Sequence, residues 1–340
     1  MIHNFFDVVS ALQLFYNLNE VIRLIAKTQA DLNVAINGKS LNNRLLSRKM
    51  KLFYMALPFF ALLIIFYYLP LYGWIYSFFD SLPGTPVTEM NFIGLKFFER
   101  MFTPGSTFGY SLRNTLVMSF LQLITAPLPV IFALFLSEMK NKKSSKLIQT
   151  VTSLPNFISW PLVYAIFFTF FNSQGVVNSL FMSLNLISEP LNILANENNV
   201  WYVQTLVITW KTIGWYAIIY IASLSGIDGS LYDAANVDGA GRFGKMWHVS
   251  VPGIMPTFVV LLLLSVGNLL NSGFEQYWVF RNPVISQKID VLDIYIYNQG
   301  LVNMEIGYAT AVGMARSLVS IFLLFLVNYT ARKANGQSIL

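Results

Sequence analysis

In a chain of 340 residues, 55% are hydrophobic, 16% aromatic and only 11% charged, against a soluble norm of about a quarter charged. The mean hydropathy of +0.57 points the same way. A net charge of +6 spread between apolar segments makes nucleic acid a poor partner, and the lack of cysteine excludes disulfides, cysteine metal sites and thiol catalysis.

The chain opens on "FFDVVSALQLFYNLNEVIRLIA". This stretch sets Phe15, Leu18, Ile22 and Ile25 at helical spacing but interrupts them with Asp7, Asn17, Asn19, Glu20 and Arg23. It reads as an amphipathic helix on a membrane surface, with an additional span as the alternative. No basic region precedes a short apolar core and a small-residue cleavage site, so no removable signal peptide is expected. The polar piece up to Lys49 reads as a linker, making residues 1–50 an extension and 51–335 the membrane domain.

Six apolar runs of spanning length come after it, at about 53–79, 114–138, 150–171, 201–225, 254–271 and 307–330. The expected fold is therefore an all-α polytopic membrane protein. Basic residues gather before the first run (Arg44, Arg48, Lys49, Lys51), between the second and third (Lys140, Lys142, Lys143, Lys146), between the fourth and fifth (Arg242, Lys245), and after the last (Arg332, Lys333). In a six-span chain these clusters share one side, and the positive-inside rule makes it the cytoplasm, with both termini there. The other loops carry Asp80, Glu89, Glu189, Glu197, Glu275, Asp290 and Asp293. Pro58, Pro70, Pro127, Pro129 and Pro161 fall within the runs and are expected to bend them.

Between the fourth and fifth runs, "DGAGRFGKM" contains Gly239, Gly241 and Gly244 in a G-x-G-x-x-G pattern, with Lys245 next. A phosphate cradle needs a preceding strand and, in a P-loop, a hydroxyl residue after the lysine. Here "LYDAANVD" favours a short helix in front, Met246 occupies the hydroxyl position, and Pro252 and Pro256 interrupt the segment after the glycines. Nucleotide binding by this stretch is therefore not expected.

The same loop resembles the "EAA" motif of ABC importer permeases, E-A-A-x-x-D-G-A with an I-x-L-P ending further on. Asp233, Ala234, Ala235, Asp238, Gly239 and Ala240 carry the first part, and Val249, Val251 and Pro252 the second. Asp233 replaces Glu and the ending is V-S-V-P, so charge and apolar character persist. "SLPNFISWPLVYAIFF", "TWKTIGWYAIIYIASLSGID" and "GYATAVGMARSLVSIFLLFLVN" extend the likeness to the maltose-type permeases for polysaccharides and multiple sugars, over about 50–332. The resemblance implies the type I importer permease (MetI-like) fold in a bacterial plasma membrane. In such permeases the loop at about 226–253 is a coupling helix that docks on a cytoplasmic ATPase. Asp233, Ala234, Ala235, Asp238, Gly239, Ala240, Gly241 and Pro252 are its candidate residues here. Small residues permit close packing, the glycines a tight turn into a second short helix, and Pro252 is expected to stop that helix.

Ionisable residues within spans are default functional candidates. Lys211, beside Trp210, Trp215 and Tyr216, and Arg316 in the sixth run are candidates for the substrate passage, with Asn268, Asn271, Glu275, Gln276 and Tyr277 near the end of the fifth. Two cations suggest an acidic, uronate-containing oligosaccharide. The expected function is an oligosaccharide permease subunit without catalytic residues, metal or cofactor of its own. The resemblance implies a second homologous permease, two ATPase subunits that hold ATP and magnesium, and a solute-binding protein. An ion-coupled secondary transporter is the alternative, disfavoured by the coupling loop and by the lack of acidic residues inside the runs. A membrane enzyme lacks a metal motif or a carboxylate pair at helical spacing within a run.

Overall fold

The structure, a computed structural model, describes the backbone of residues 39–80, 85, 89–271 and 273–335, and within them the side chains from Met50 to Tyr329 and of Lys333. The expected surface helix around Phe15 to Ile25 lies outside the described residues. The piece after Lys39, expected to be a linker, is instead the start of a helix, Lys39–Leu63, that runs straight into the first span.

Among the described residues, five helices are long and apolar enough to cross a membrane: Met50–Phe78, Phe108–Ser137, Val200–Ser225, Arg242–Gly267 and Ile306–Tyr329. Lys142–Phe157 and Trp160–Ser183 reach spanning length and apolarity only as a pair, bent by 107° at the break, and are numbered as one broken span. In chain order these are spans one to six, the broken pair being the third. The only strand pairing among the described residues is a two-residue antiparallel ladder, Phe79 opposite Phe92 and Asp80 opposite Asn91.

Two expectations about the spans are corrected. The third was expected to be one run, but Ile158 and Ser159 are extended, and Pro161, which cannot donate, sits in the first turn of the next helix. The chain therefore turns sharply there. Pro252 was expected to stop a short helix, yet the helix continues from Arg242 to Gly267. A wide turn at Met246–Ser250, closed by Val251 N–H donating to the Met246 carbonyl, lies just ahead of Pro252, which then falls in the first turn of the α-helical part. A one-residue widening of the ladder relieves the clash between a proline ring and the turn before it.

The ends of the spans define two faces. On one, Arg242 at the start of span five reaches Glu138 after span two. On the other, Asn114 in span two, Trp201 in span four and Arg100 before span two meet residues 287–290 and 305. Segment 268–305 packs inward on this second face. Its Tyr277, Phe280, Ile285, Ile289, Val291 and Ile294 share a core with Val163 and Phe167 of span three and Val200 and Val207 of span four. Nearer the first face, Ala133 packs with Ala217 and Tyr220, and Leu134 with Leu224 and Ile254, joining spans two, four and five.

Candidate functional site

The 226–241 loop is built by local chemistry. Asp228 caps the helix Gly229–Val237, its carboxylate accepting the Ser230 N–H at 2.9 Å, and the Ser230 hydrogen bonds hold its carboxyl below the usual carboxylate range. Gly239 adopts a φ of +75°, in the region glycine tolerates best, and a Cβ there would meet only open space. Its role is thus the backbone turn. Ala240 N–H donates to the Ala235 carbonyl, and Gly241 is the extended residue before the next helix.

Polar tethers seat this helix on the body. Tyr232 and Ser250 share a hydroxyl hydrogen bond of 2.9 Å, and Lys245 Nζ donates to Asn236 Oδ1 at 2.9 Å. Arg242 Nε lies 3.3 Å from Glu138 Oε2. At the base, a Cβ on Gly253 would come within 2.3 Å of Ile227 Cδ1, so the loop root is pressed onto span five. The outward surface is open. Asp233, Ala234, Asp238, Gly241 and Pro252 are exposed, with Ala235 and Ala240 partly so. Around them Val237, Phe243 and Trp247 are 88%, 76% and 68% exposed. Lys245, the residue a P-loop would need, is spent on tethering.

Several residues singled out for the passage are engaged inside the protein. Lys211, 6% exposed, donates from Nζ to the carbonyls of Pro155, Asn156 and Ile158 at 2.9, 2.9 and 2.6 Å. An ammonium has three protons, and all three are used. These are the carbonyls left over where the first half of span three ends, and a cation satisfies them as it would any helix C-terminus. One turn on, a Cβ on Gly214 would lie 2.2 Å from the Thr152 carbonyl oxygen, so only glycine lets span four approach the break this closely. Lys211 is thus a brace for the bend.

Gln276 and Tyr277 are also internal: the Gln276 amide donates to Gln204 O and Oε1, and the Gln122 amide donates to the Tyr277 hydroxyl. Arg316 is paired with Asp293, which is 1% exposed and whose other carboxylate oxygen has no partner. Asp293, read from sequence as a loop acid, was missed because its partner lies 23 residues away. Trp210 meets Phe167 and Trp215 meets Phe157 edge-on, leaving both indoles and Tyr216 partly exposed. Glu275 is exposed, Asn271 is partly so, and Asn268 keeps a buried Oδ1 without a partner. A polar cavity of about 520 Å³ opens on the second face, lined by Tyr110, Asn114, Gln287, Asn298 and Asn303 among others.

Helix order and loop design point to a transport subunit, and comparison decides the family. The profile described as "Binding-protein-dependent transport system inner membrane component" matches residues 125–336. The chain belongs to that family. This permease is 37% identical over 298 residues to "Protein LplB" of Bacillus subtilis, covering 86% of this chain and 92% of that one. It is 34% identical to the "Polygalacturonan/rhamnogalacturonan transport system permease protein YteP" of the same organism, covering 92% and 99%. Among solved structures, the permease resembles a chain of a bacterial ABC transporter involved in import of the acidic polysaccharide alginate. There the TM-score is 0.78 and the identity 30%, over 86% of this chain and 98% of that one. The same transporter, solved with its alginate-pentasaccharide-bound periplasmic protein, gives the same score.

Proposed function

We propose that this permease carries acidic oligosaccharides across the plasma membrane in an ATP-driven importer. The observation that carries the substrate class is the likeness, over 86% of the chain, to a subunit of an alginate importer, joined by a relative named for polygalacturonan and rhamnogalacturonan. In this reading the 226–241 face is cytoplasmic, as are both termini, because the basic clusters flank it. A second homologous permease completes the passage. Two ATPase subunits hold ATP and magnesium, and a solute-binding protein delivers sugar to the opposite face.

The helix and turn that carry Asp233, Ala234, Ala235, Asp238, Gly239, Ala240 and Gly241, with Phe243, Trp247 and Pro252 beside them, are the surface an ATPase groove covers. Small residues let that helix seat deeply, the apolar side chains lose water on docking, and Asp233 accepts from a cation of the partner. ATP-driven closure of the ATPase pair moves the loop, and the spans turn to receive sugar. Trp210, Trp215, Tyr216, Asn271 and Glu275 retain groups available to a passing saccharide, whereas the Asn268 amide is turned inward, its Nδ2 donating to the Leu264 carbonyl. Lys211, Arg316, Gln276 and Tyr277 hold the frame around them.

The test is reconstitution of both permeases and the ATPases in proteoliposomes, with the binding protein outside. ATP-dependent accumulation of a labelled galacturonate oligosaccharide is expected. Uptake that proceeds without the ATPase subunits would overturn the reading in favour of ion coupling.

A further inference from the structure

Three arginines near the second face each hold a carboxylate: Arg100 with Glu305, Arg281 with Asp290, and Arg316 with Asp293. Arg113 does not. Among the described residues it has no carboxylate within ion-pair distance, and its side-chain hydrogen bond goes to Asn114 Oδ1. Its guanidinium stands 5.5 Å from the Trp201 ring centre and 5.4 Å from that of Tyr110. Lys288 Nζ stands 4.7 Å from the same Trp201 ring, also without a carboxylate among the described residues.

The two charges are therefore within about 10 Å of each other, held by one indole. That indole is fixed in turn, since its Nε1–H donates to the Lys288 carbonyl at 2.8 Å. Two like charges held this close, with no anion between them, repel each other and lower the cost of bringing one in. The cluster adjoins the 520 Å³ cavity: Tyr110 lies under Arg113 and also lines the cavity, as do Asn114 and Gln287, the sequence neighbours of the two cations. Thr107, Asn298, Gln299 and Asn303 extend the lining with hydroxyl and amide groups, and its one carboxylate, Asp290, is neutralised by its ion pair with Arg281, which also lines it. Such a wall suits a polyhydroxylated ligand, whereas a lipid headgroup would need an apolar groove for its chains.

We infer that Arg113 and Lys288, oriented by Trp201 beside the polar cavity, form an entry subsite for the carboxylate of an anionic saccharide. The subsite lies at the mouth of the permease, separate from the residues braced within the spans. The inference rests on the acidic-oligosaccharide reading above and adds a site to it. The cations select the charge, and the cavity amides bind hydroxyls.

The test is equilibrium binding to the complete importer in nanodiscs of zwitterionic lipid, without the binding protein. The probes are a galacturonate tetrasaccharide and the same sugar with its carboxyls reduced. The intact importer should bind the acidic sugar about tenfold more tightly, the scale of one good charge-assisted contact. The double variant R113Q/K288Q should lose that preference while keeping its thermal unfolding midpoint, and R113K, which keeps the charge, should retain most of it.

A preference that survives in the double variant would overturn the subsite, as would equal binding of both sugars by the intact importer. So would a preference that appears only with anionic lipid, or a double variant whose sole defect is weaker docking of the empty binding protein. ATP-dependent uptake by the unmodified importer is measured alongside. If uptake fails, the functional reading falls. If uptake holds and the preference is unchanged, only the subsite falls.

Discussion

The segments on either side of span five are built in opposite ways. The loop before it, 226–241, points its chemistry outward: a capped helix, a left-handed glycine and exposed Val237, Phe243 and Trp247, tied down by a few polar contacts. The segment after it, 268–305, turns inward and buries six aliphatic residues and a carboxylate against spans two, three, four and six. The exposed surface keeps its determinants local, whereas the buried one distributes them over the chain.

The largest expected effect comes from the inward segment. D293L leaves Arg316 as an uncompensated cation among apolar neighbours, costing about 3 to 5 kcal/mol, and R316M strands the carboxylate at similar cost. Thermal unfolding in nanodiscs should show both losses, and the double change R316M/D293L should recover much of the stability. A double variant no better than either single one would mean the pair does more than balance charge.

Next is the brace on span three. K211M removes the donor from three carbonyls, with an expected loss of about 3 kcal/mol, and G214V forces spans three and four apart. Both should reduce uptake of acidic and carboxyl-reduced sugars alike. Selective loss of the acidic one would return Lys211 to the passage.

The outward loop should behave differently. G239V strains a left-handed turn by about 1 to 2 kcal/mol, too little to unfold the protein, yet it should separate ATP hydrolysis from uptake. The diagnostic ratio is sugar moved per ATP consumed. K245A, by contrast, should leave ATP binding by the complex unchanged, since Lys245 only tethers Asn236.

The smallest effect concerns Asp228. Because its folded carboxyl titrates below the ordinary value, the cap contributes above the unfolded value and fades as pH falls through the folded one. D228A should therefore weaken coupling slightly at neutral pH and make no further difference in acid. D228N, which can still accept from Ser230, should resemble the unmodified chain.

The same contrast explains what could be read from sequence. The spans were legible because apolar length is a one-dimensional signal, and the short helix and turn of 229–241 because its cap, alanines and glycines act on near neighbours. The break in span three was half legible: Pro155 and Pro161 mark it, but the 107° turn depends on Lys211, more than fifty residues away, filling the abandoned carbonyls. Lys211 and Arg316 stood out as intramembrane charges, yet sequence alone could not tell a charge facing a passage from one consumed by the frame. Asp293 passed for a loop acid, and Arg113 and Lys288 drew no reading at all, because each is distinguished by the presence or lack of a partner distant in sequence.

Gly214 and Lys211 also have a mechanical consequence. They clamp the bend of span three to span four, and span four ends at Ser225, just before the Gly229–Val237 helix begins. From Lys211 to Ser225 the helix rises about 20 Å. Span four is thus a lever arm, with the exposed 226–241 loop at one end and the bend of span three gripped along its length. A tilt of span four at its Ser225 end is carried to that bend along one continuous helix.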